Sequence, residues 1–322
     1  MIRGLATLLI ASIATMGTAW AAPWPERPIR FIVPFPAGGG VDTVTRVYAA
    51  ALTKLIGQEI IIDNRPGASG AIGAQTVAKS APDGYTFLMA SPAEVMVNAI
   101  AGQPMSYDPR KDLVPVALAG ETPLAIVAHP SVGVQDLKDL VARAKADQLK
   151  LSYGTPGRGS TMNFAGEALR SETGLDWQHV PYKGAAPAVN DVLGGQIQIV
   201  ISGMPPLVQH IKAGKLTALA VTSSKRSPVL PDVMTVSELP GLSGFRFTNW
   251  MGVFAPQGTP PDVMDRMGKA FETAAKDPDV ARRLQDAGVD PSGIRGPAFA
   301  KFLDDERARY QDVANKTPIK SN

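Results

Sequence analysis

The chain alternates along most of its length between short apolar runs, tight turns of small residues and stretches with helical periodicity. "IRFIVPF" (29–35) reads as a buried strand and "PAGGG" (36–40) as a turn. Asp42 stands where a helix cap would stand, ahead of Val44, Val47, Leu52 and Leu55 at helical spacing, and Gly57 supplies a stop. A second round runs from a strand at Glu59–Asp63 through the turn "NRPGASG" into the helix "AIGAQTVAKSA", and "DGYTFLMAS" is a third strand. Strand–turn–helix repetition of this kind restricts the chain to an α/β fold with a parallel sheet covered by helices.

"DLVPVALAGETPLAIVAHP" carries two β-like runs around Gly120, the second placed to cross into another domain. After the helix "GVQDLKDLVARAKADQ" the alternation resumes with "LKLSYG", "WQHVPY", "IQIVISG" and "LTALAVTS" as strands, each followed or preceded by a turn and helix. "FRFTNWMGVFAP" is an extended run that would return to the first domain, and the remainder is helical, closing with "PAFAKFLDDERARYQDVAN". At roughly 150 residues per domain, 322 residues suggest two. The expected division is 22–122 with 246–322 in the first lobe and 123–245 in the second, joined by crossing strands rather than a linker.

The N-terminus reads as a processing segment. Arg3 precedes the apolar "LATLLIASIATMGTAW", and Ala19-Trp20-Ala21 gives a small-x-small pattern, so cleavage after Ala21 is expected and 1–21 is a signal peptide. With no cysteine there is neither a lipid attachment site nor a disulfide. Together these point to a soluble protein of a bacterial periplasm. The net charge of +3 is small and its basic residues are scattered, which argues against nucleic acid as a partner.

Four loops share one design, in which a strand ends, small residues turn and a helix begins: Pro34–Asp42, Asn64–Gly73, Tyr153–Thr161 and Tyr182–Val189. In an open α/β sheet such turns gather at the carboxyl ends of the strands, where ligands sit. The first turn of a helix leaves amide hydrogens without partners and carries partial positive charge, so the expected ligand is an anion. "YGTPGRGST" nearly matches a phosphate-binding P-loop, but Ser160 stands in the lysine slot and Arg158 lies two positions before it. Backbone and hydroxyl donors suffice for a carboxylate where a triphosphate would need the lysine.

Catalytic patterns are thin. His129, His179 and His210 stand apart without partner motifs, and the nucleophile elbow and zinc-binding helix patterns are missing. Asp304, Asp305 and Glu306 read as a solvated helix face rather than a metal site, and Trp250 and Phe164 as core rather than ligand-stacking rings. No catalytic residue, cofactor or metal is expected. Glu94 and Asp42 are the faint candidates for the base that a periplasmic enzyme acting on the same acids would need.

The segments "WPERPIRFIVPFPAGGGVDTVTR", "NRPGASGAIGA", "DGYTFLMAS", "YGTPGRGST", "HVPYKGAAPAVNDVLGGQIQ" and "GKLTALAVTSSKRSPVLPDVMTVSELPG" resemble, in order and spacing, the Bug family of periplasmic receptors for tripartite tricarboxylate transporters. The resemblance implies a two-lobed Venus-flytrap of the type II-like periplasmic-binding-protein architecture, monomeric. Its implied ligand is a small organic carboxylate, such as a di- or tricarboxylate, an acidic amino acid or an aromatic acid. It implies delivery to integral-membrane permease subunits, with presentation to a membrane sensor kinase as the alternative. Carried over residue by residue, the first-lobe site comprises Pro36, Ala37, Gly38, Gly39 and Asp42, then Ala68, Ser69 and Gly70, with Ser91 after the third strand. The second-lobe site comprises Thr155, Gly159, Ser160 and Thr161, then Ala185 and Ala186, with Ser202 after "IVIS". Two positions depart from the family pattern: Asn163 replaces a frequent histidine, and Glu94 lies in "SPAEVMVNAI", where it would repel an anion if it faced the cleft.

Overall fold

The computed structural model describes residues 24–147 and 151–316; the expected signal segment 1–21 lies outside the described residues. The chain begins with β1 (Ile29–Val33), α1 (Gly40–Ile56), β2 (Ile60–Asn64), α2 (Ala71–Ala78) and β3 (Thr86–Ala90). The three strands are parallel, with β1 between β2 and β3. Gly57 ends α1 in the left-handed region at φ 82°, as its position suggests. The cap at the other end is Gly39, not Asp42, which lies inside the first turn and uses its carboxylate elsewhere. A 3-10 turn at Ala68–Gly70 precedes α2, and π-helical turns at Ala93–Val97 run into α3 (Asn98–Ile100).

The two β-like runs around Gly120 form one strand of 16 residues, β4 (Leu113–Ala128). It is followed by α4 (Leu137–Asp147), β5 (Leu151–Thr155), α5 (Thr161–Thr173), β6 (Trp177–Pro181), α6 (Ala185–Leu193), β7 (Ile199–Gly203), α7 (Val208–Lys212) and β8 (Thr217–Val221). The chain then returns through β9 (Thr248–Pro256) to α8 (Pro261–Lys276), α9 (Pro278–Asp286), the short β10 (Asp290–Pro291) and α10 (Gly296–Lys316). The main sheet path among the described residues is β2-β1-β3-β9-β4-β7-β5-β6, with β8 and β10 also paired to β4.

β4 belongs to both lobes. From Leu113 to Pro123 it pairs antiparallel with β9, and from Leu124 to Ala128 with β7, while β8 flanks its end from Ala125. Pro123, which has no N–H to donate, sits at the change of partner. β9 returns antiparallel between β3 and β4, as the extended aromatic run suggested.

Three apolar cores flank this sheet. One lies between the first-lobe strands and α1, α8 and α9, where Phe271 packs on Tyr48 at 4.9 Å and Phe31 at 6.0 Å between ring centres. The Tyr48 hydroxyl donates to the Ala119 carbonyl of β4 at 2.6 Å, satisfying a phenol buried in that core. A second core, with Val189, Val192, Leu207 and Val208, lies beneath α6 and α7. The largest core extends across both lobes: Phe299 of α10 packs near Trp250, and Tyr310 of the same helix meets Phe164 of α5 edge-on at 6.3 Å. Trp250 and Phe164 are both 0% exposed, so neither offers a face to a ligand.

Phe271→Ala is expected to cost about 3–5 kcal/mol in urea unfolding, because it empties the centre of the first core. Leu55→Ala, at a side chain 46% exposed, is expected to change stability by less than about 0.5 kcal/mol.

Candidate functional site

The turns at the carboxyl ends of the parallel strands converge on one cleft between the lobes, enclosing about 510 Å³ of space, part of it open to solvent. From the first lobe come Phe35, Gly39, Gly40, Val41, Ser91 and Ala93; from the second come Pro156, Ser160, Thr161, Met162, Ala185, Ser202, Gly203 and Pro205. Thr122 and Asn249 enter from the crossing strands. The lining side chains are apolar groups, hydroxyls and one amide, with no lysine, arginine or histidine.

Local geometry explains what the lining can donate. The first intrahelical bond of α1 runs from Thr43 N–H to Gly39 O at 2.9 Å, so the amides of Gly40, Val41 and Asp42 have no helical carbonyl to bond. At α5 the first bond is Phe164 N–H to Ser160 O at 3.0 Å, which leaves Thr161 and Met162 in the same position. Gly40 and Val41 of one lobe and Thr161 and Met162 of the other line the same cleft. Two helix N-termini, each with partial positive charge, therefore open on it from opposite sides.

Of the residues expected from sequence, Gly39, Ser91, Ser160, Thr161, Ala185 and Ser202 lie together in the cleft lining. The others take supporting places. Gly38, at φ 79°, gives its amide to Asp42 Oδ2 at 2.9 Å, and Pro36 O accepts from Gly39 N–H at 3.3 Å. Ala37 is exposed and Ala186 half-buried outside the lining. Asp42 also accepts from Arg46 at 2.8 and 3.0 Å and from Asn64 at 3.0 Å, so its carboxylate braces the first loop from behind. Burial pushes its pKa up, but the bonds from Arg46, Gly38 and Asn64 outweigh this and hold it below the usual carboxylate value. Thr155 is buried, with Oγ1 2.7 Å from His179 Nε2 and 3.1 Å from Gly157 O. Gly159 donates its amide to Asn163 Oδ1 at 3.0 Å.

Hydroxyls are mostly committed inside the protein. Ser160 Oγ caps α5 by accepting from Asn163 N–H at 3.2 Å and donates to Gly157 O at 2.7 Å. Thr161 Oγ1 shares a hydrogen bond of 3.1 Å with the Tyr310 hydroxyl. Ser202 differs: its Oγ is buried without a hydrogen-bond partner, at the cleft wall. Asn163 holds the second-lobe loop from behind, together with His179. Burial, then the charge of Arg158, lowers the His179 pKa to about 4, so the imidazole is neutral at ordinary pH.

Across the cleft mouth the lobes touch. Ala68 and Ser69 both hold φ 48°, in the left-handed region that non-glycine residues rarely adopt. This places Ser69 Oγ to donate to the Arg158 carbonyl at 2.7 Å, and Gln103 Nε2 donates to the same oxygen at 2.8 Å. Gly70, which closes that turn, is buried. Sequence reasoning missed Thr122 and Asn249, whose places depend on strand crossing, and also Phe35, Met162 and Pro205, which stand in or beside the recognised turns. A wider groove of about 1610 Å³ lies elsewhere, where Lys225, Arg226 and Arg246 are mixed with Glu121, Asp286 and Asp290 and set no single sign of charge.

A family model described as "Tripartite tricarboxylate transporter family receptor" matches residues 44–318. Protein BugT of Bordetella pertussis is 36% identical, over 96% of this chain and 95% of its own. The structure of Rhodopseudomonas palustris Rpa4515 with adipate superposes with a TM-score of 0.89 at 33% identity, covering 92% of this chain and 99% of that one. That of MatC from the same organism, with bound malate, gives 0.84 at 32% identity, covering 90% and 99%.

The Asp42 cluster makes a signed prediction. A carboxylate whose folded pKa is depressed stabilises the fold fully above its unfolded value, about 4, and loses that contribution as pH falls through the folded value. Urea unfolding of wild type against Asp42→Asn is expected to differ by about 2 kcal/mol at pH 7 and to converge once the pH falls below the depressed folded value.

Proposed function

The chain belongs to the tripartite tricarboxylate transporter receptor family, and from that premise we propose that its cleft captures a small organic carboxylate and delivers it to integral-membrane permease subunits. The observation that carries this reading is the opposed pair of helix N-termini, α1 and α5, opening on one cleft whose side chains include no cation. Amide donors from both sides suit a molecule with an acid group at one end and a second acid or polar group at the other. The apolar walls supplied by Phe35, Val41, Met162 and Pro205 suit a short carbon skeleton between them. Related structures containing adipate and malate support this class, which includes di- and tricarboxylates, acidic amino acids and aromatic acids. We propose binding without chemical conversion by a monomer in the periplasm, reached through the signal segment expected at 1–21. Among the described residues no helix is long and apolar enough to cross a membrane.

In this reading the lobes divide at 122/123 and 245/246, and the change of partners along β4 supports the first boundary. Closure would bring both sets of amides onto one ligand and expel water from between them. The bonds from Ser69 and Gln103 to the Arg158 carbonyl would then be contacts of the closed form.

A thermal-shift screen of the mature protein tests the ligand class. Adipate, malate, citrate, glutamate and terephthalate are the carboxylate arm, and phosphate and nucleoside triphosphates the contrast. A cognate acid at a hundredfold excess over Kd is expected to add about 2.7 kcal/mol of stability. Stabilisation by the phosphates alone would overturn the reading. The lobe contact gives a separate prediction: a Cβ at Gly157 would lie 2.5 Å from Ser69 Oγ, so Gly157→Ala should obstruct closure. The expected result is about tenfold weaker binding, or about 1.4 kcal/mol, with ligand-free stability nearly unchanged.

A further inference from the structure

The first-lobe wall of the cleft conceals an acid that the binding scheme leaves unused. Ser91 follows β3 and lines the cleft; Glu94, three residues on, is 0% exposed. Ser-x-x-Glu is the spacing of a capping box, and one half of that motif is made, with Ser91 N–H donating to Glu94 Oε1 at 2.5 Å. The other contact departs from it, because Ser91 Oγ meets Glu94 Oε2 at 2.7 Å.

No cation offsets this carboxyl among the described residues. The elements packed against its segment are the Ala68–Gly70 turn, α2, α3, β3 and α10. The first four carry no titratable side chain. Arg110 from the loop before β4, with Asp304 and Arg307 of α10, lines a separate cavity together with Val95 and Met96. Tyr107 donates its hydroxyl to the backbone carbonyl of Glu94 at 2.5 Å, and burial with the charge of Glu94 keeps that phenol protonated. A Cβ at Gly70 would fall 2.9 Å from Glu94 Oε2 and 3.2 Å from Phe35 Cζ, which shows how closely the carboxyl is covered.

We propose that Glu94 binds ligand as a neutral acid, its proton donated to Ser91 Oγ, so that the serine hydroxyl hydrogen is free to turn into the cleft and bind the carboxylate of the captured acid. If Glu94 is ionised, the same hydrogen is held by Glu94 Oε2, and the cleft faces oxygen lone pairs with a buried negative charge behind them. Ligand binding above the pKa of Glu94 therefore takes up one proton from water, and no other group need change its charge. Burial moves that pKa up to about 8, with the Ser91 bonds pulling the other way. This deepens the proposed carboxylate reading and rests on it.

Glu94→Gln tests the device, since glutamine satisfies a capping box and its amide can donate to Ser91 Oγ as the neutral acid does. The first arm uses no ligand. An acid whose folded pKa lies above its unfolded value, about 4.3, stabilises the fold most at low pH and loses that contribution as pH rises through the folded value. The melting temperature of wild type is thus expected to fall relative to E94Q between about pH 4.5 and pH 8 and then to run parallel. In the second arm, adipate and malate are titrated calorimetrically from pH 6 to pH 9.5. Wild-type Kd should rise above pH 8, approaching tenfold per unit, while that of E94Q stays constant. Parallel melting curves throughout would overturn the proposal whatever the ligands do. A pH-independent wild-type Kd would overturn the coupling to Ser91. If the first arm succeeds but neither these acids nor any in the wider screen binds at pH 6, the carboxylate reading fails and the coupling with it, while the neutral buried acid stands.

Discussion

An α-helix cannot use the amide hydrogens of its own first turn, and the chemistry of this protein follows from that constraint. Parallel strands joined by helices set these turns at one edge of a sheet, and the lobes face those edges toward each other. Gly40 and Val41 begin one helix and Thr161 and Met162 another, and all four line one cleft. The hydroxyl of Ser160 is spent on its own loop and that of Thr161 on Tyr310, so backbone groups are the principal donors left for an anion. Such donors are fixed by the helix itself and lose little entropy when a ligand binds, unlike a long cationic side chain.

The polar residues behind the cleft are there to hold loops. Asp42 gathers Gly38, Arg46 and Asn64; Asn163 secures Gly159; His179 secures Thr155. These braces act within single lobes, whereas Thr161 Oγ1 reaches across to Tyr310 of α10 in the other lobe. Contacts between lobes at the mouth, by contrast, are few and involve a backbone carbonyl that water can serve equally well. Ser91 and Glu94 bring a different element, a titratable group placed one bond from the cleft surface. A net anion in that position would oppose the helix termini, whereas a neutral acid adds a donor to them.

Much of the architecture was legible in local pattern. Buried strands such as Phe31–Val33, stops such as Gly57 and Gly174, and the return of the 248–256 run to the first lobe all follow from periodicity and backbone preference. Gly120 misled in part: β4 runs through it as one strand, but its register against β9 shifts between Leu118 and Gly120, and it packs against Asp290, whose carbonyl would lie 2.7 Å from a Cβ at that position. Asp42 also misled. A short acidic side chain before a helix can cap it, but the cap lies three residues earlier at Gly39, and Asp42 bonds backward to Gly38.

The sequence by itself determined the class of fold, the small-residue turns and the absence of a P-loop lysine, because these depend on interactions between residues close along the chain. Only the tertiary structure decided which groups meet at the cleft: Asn249 and Thr122 from crossing strands, Ser202 with its unpaired hydroxyl, and Glu94 turned inward rather than toward an anion. Those outcomes depend on how two lobes pack and on which carboxyl is sealed from water. Burial and long-range apposition leave no periodic trace in a single chain, so they become visible only when the distant segments are brought together.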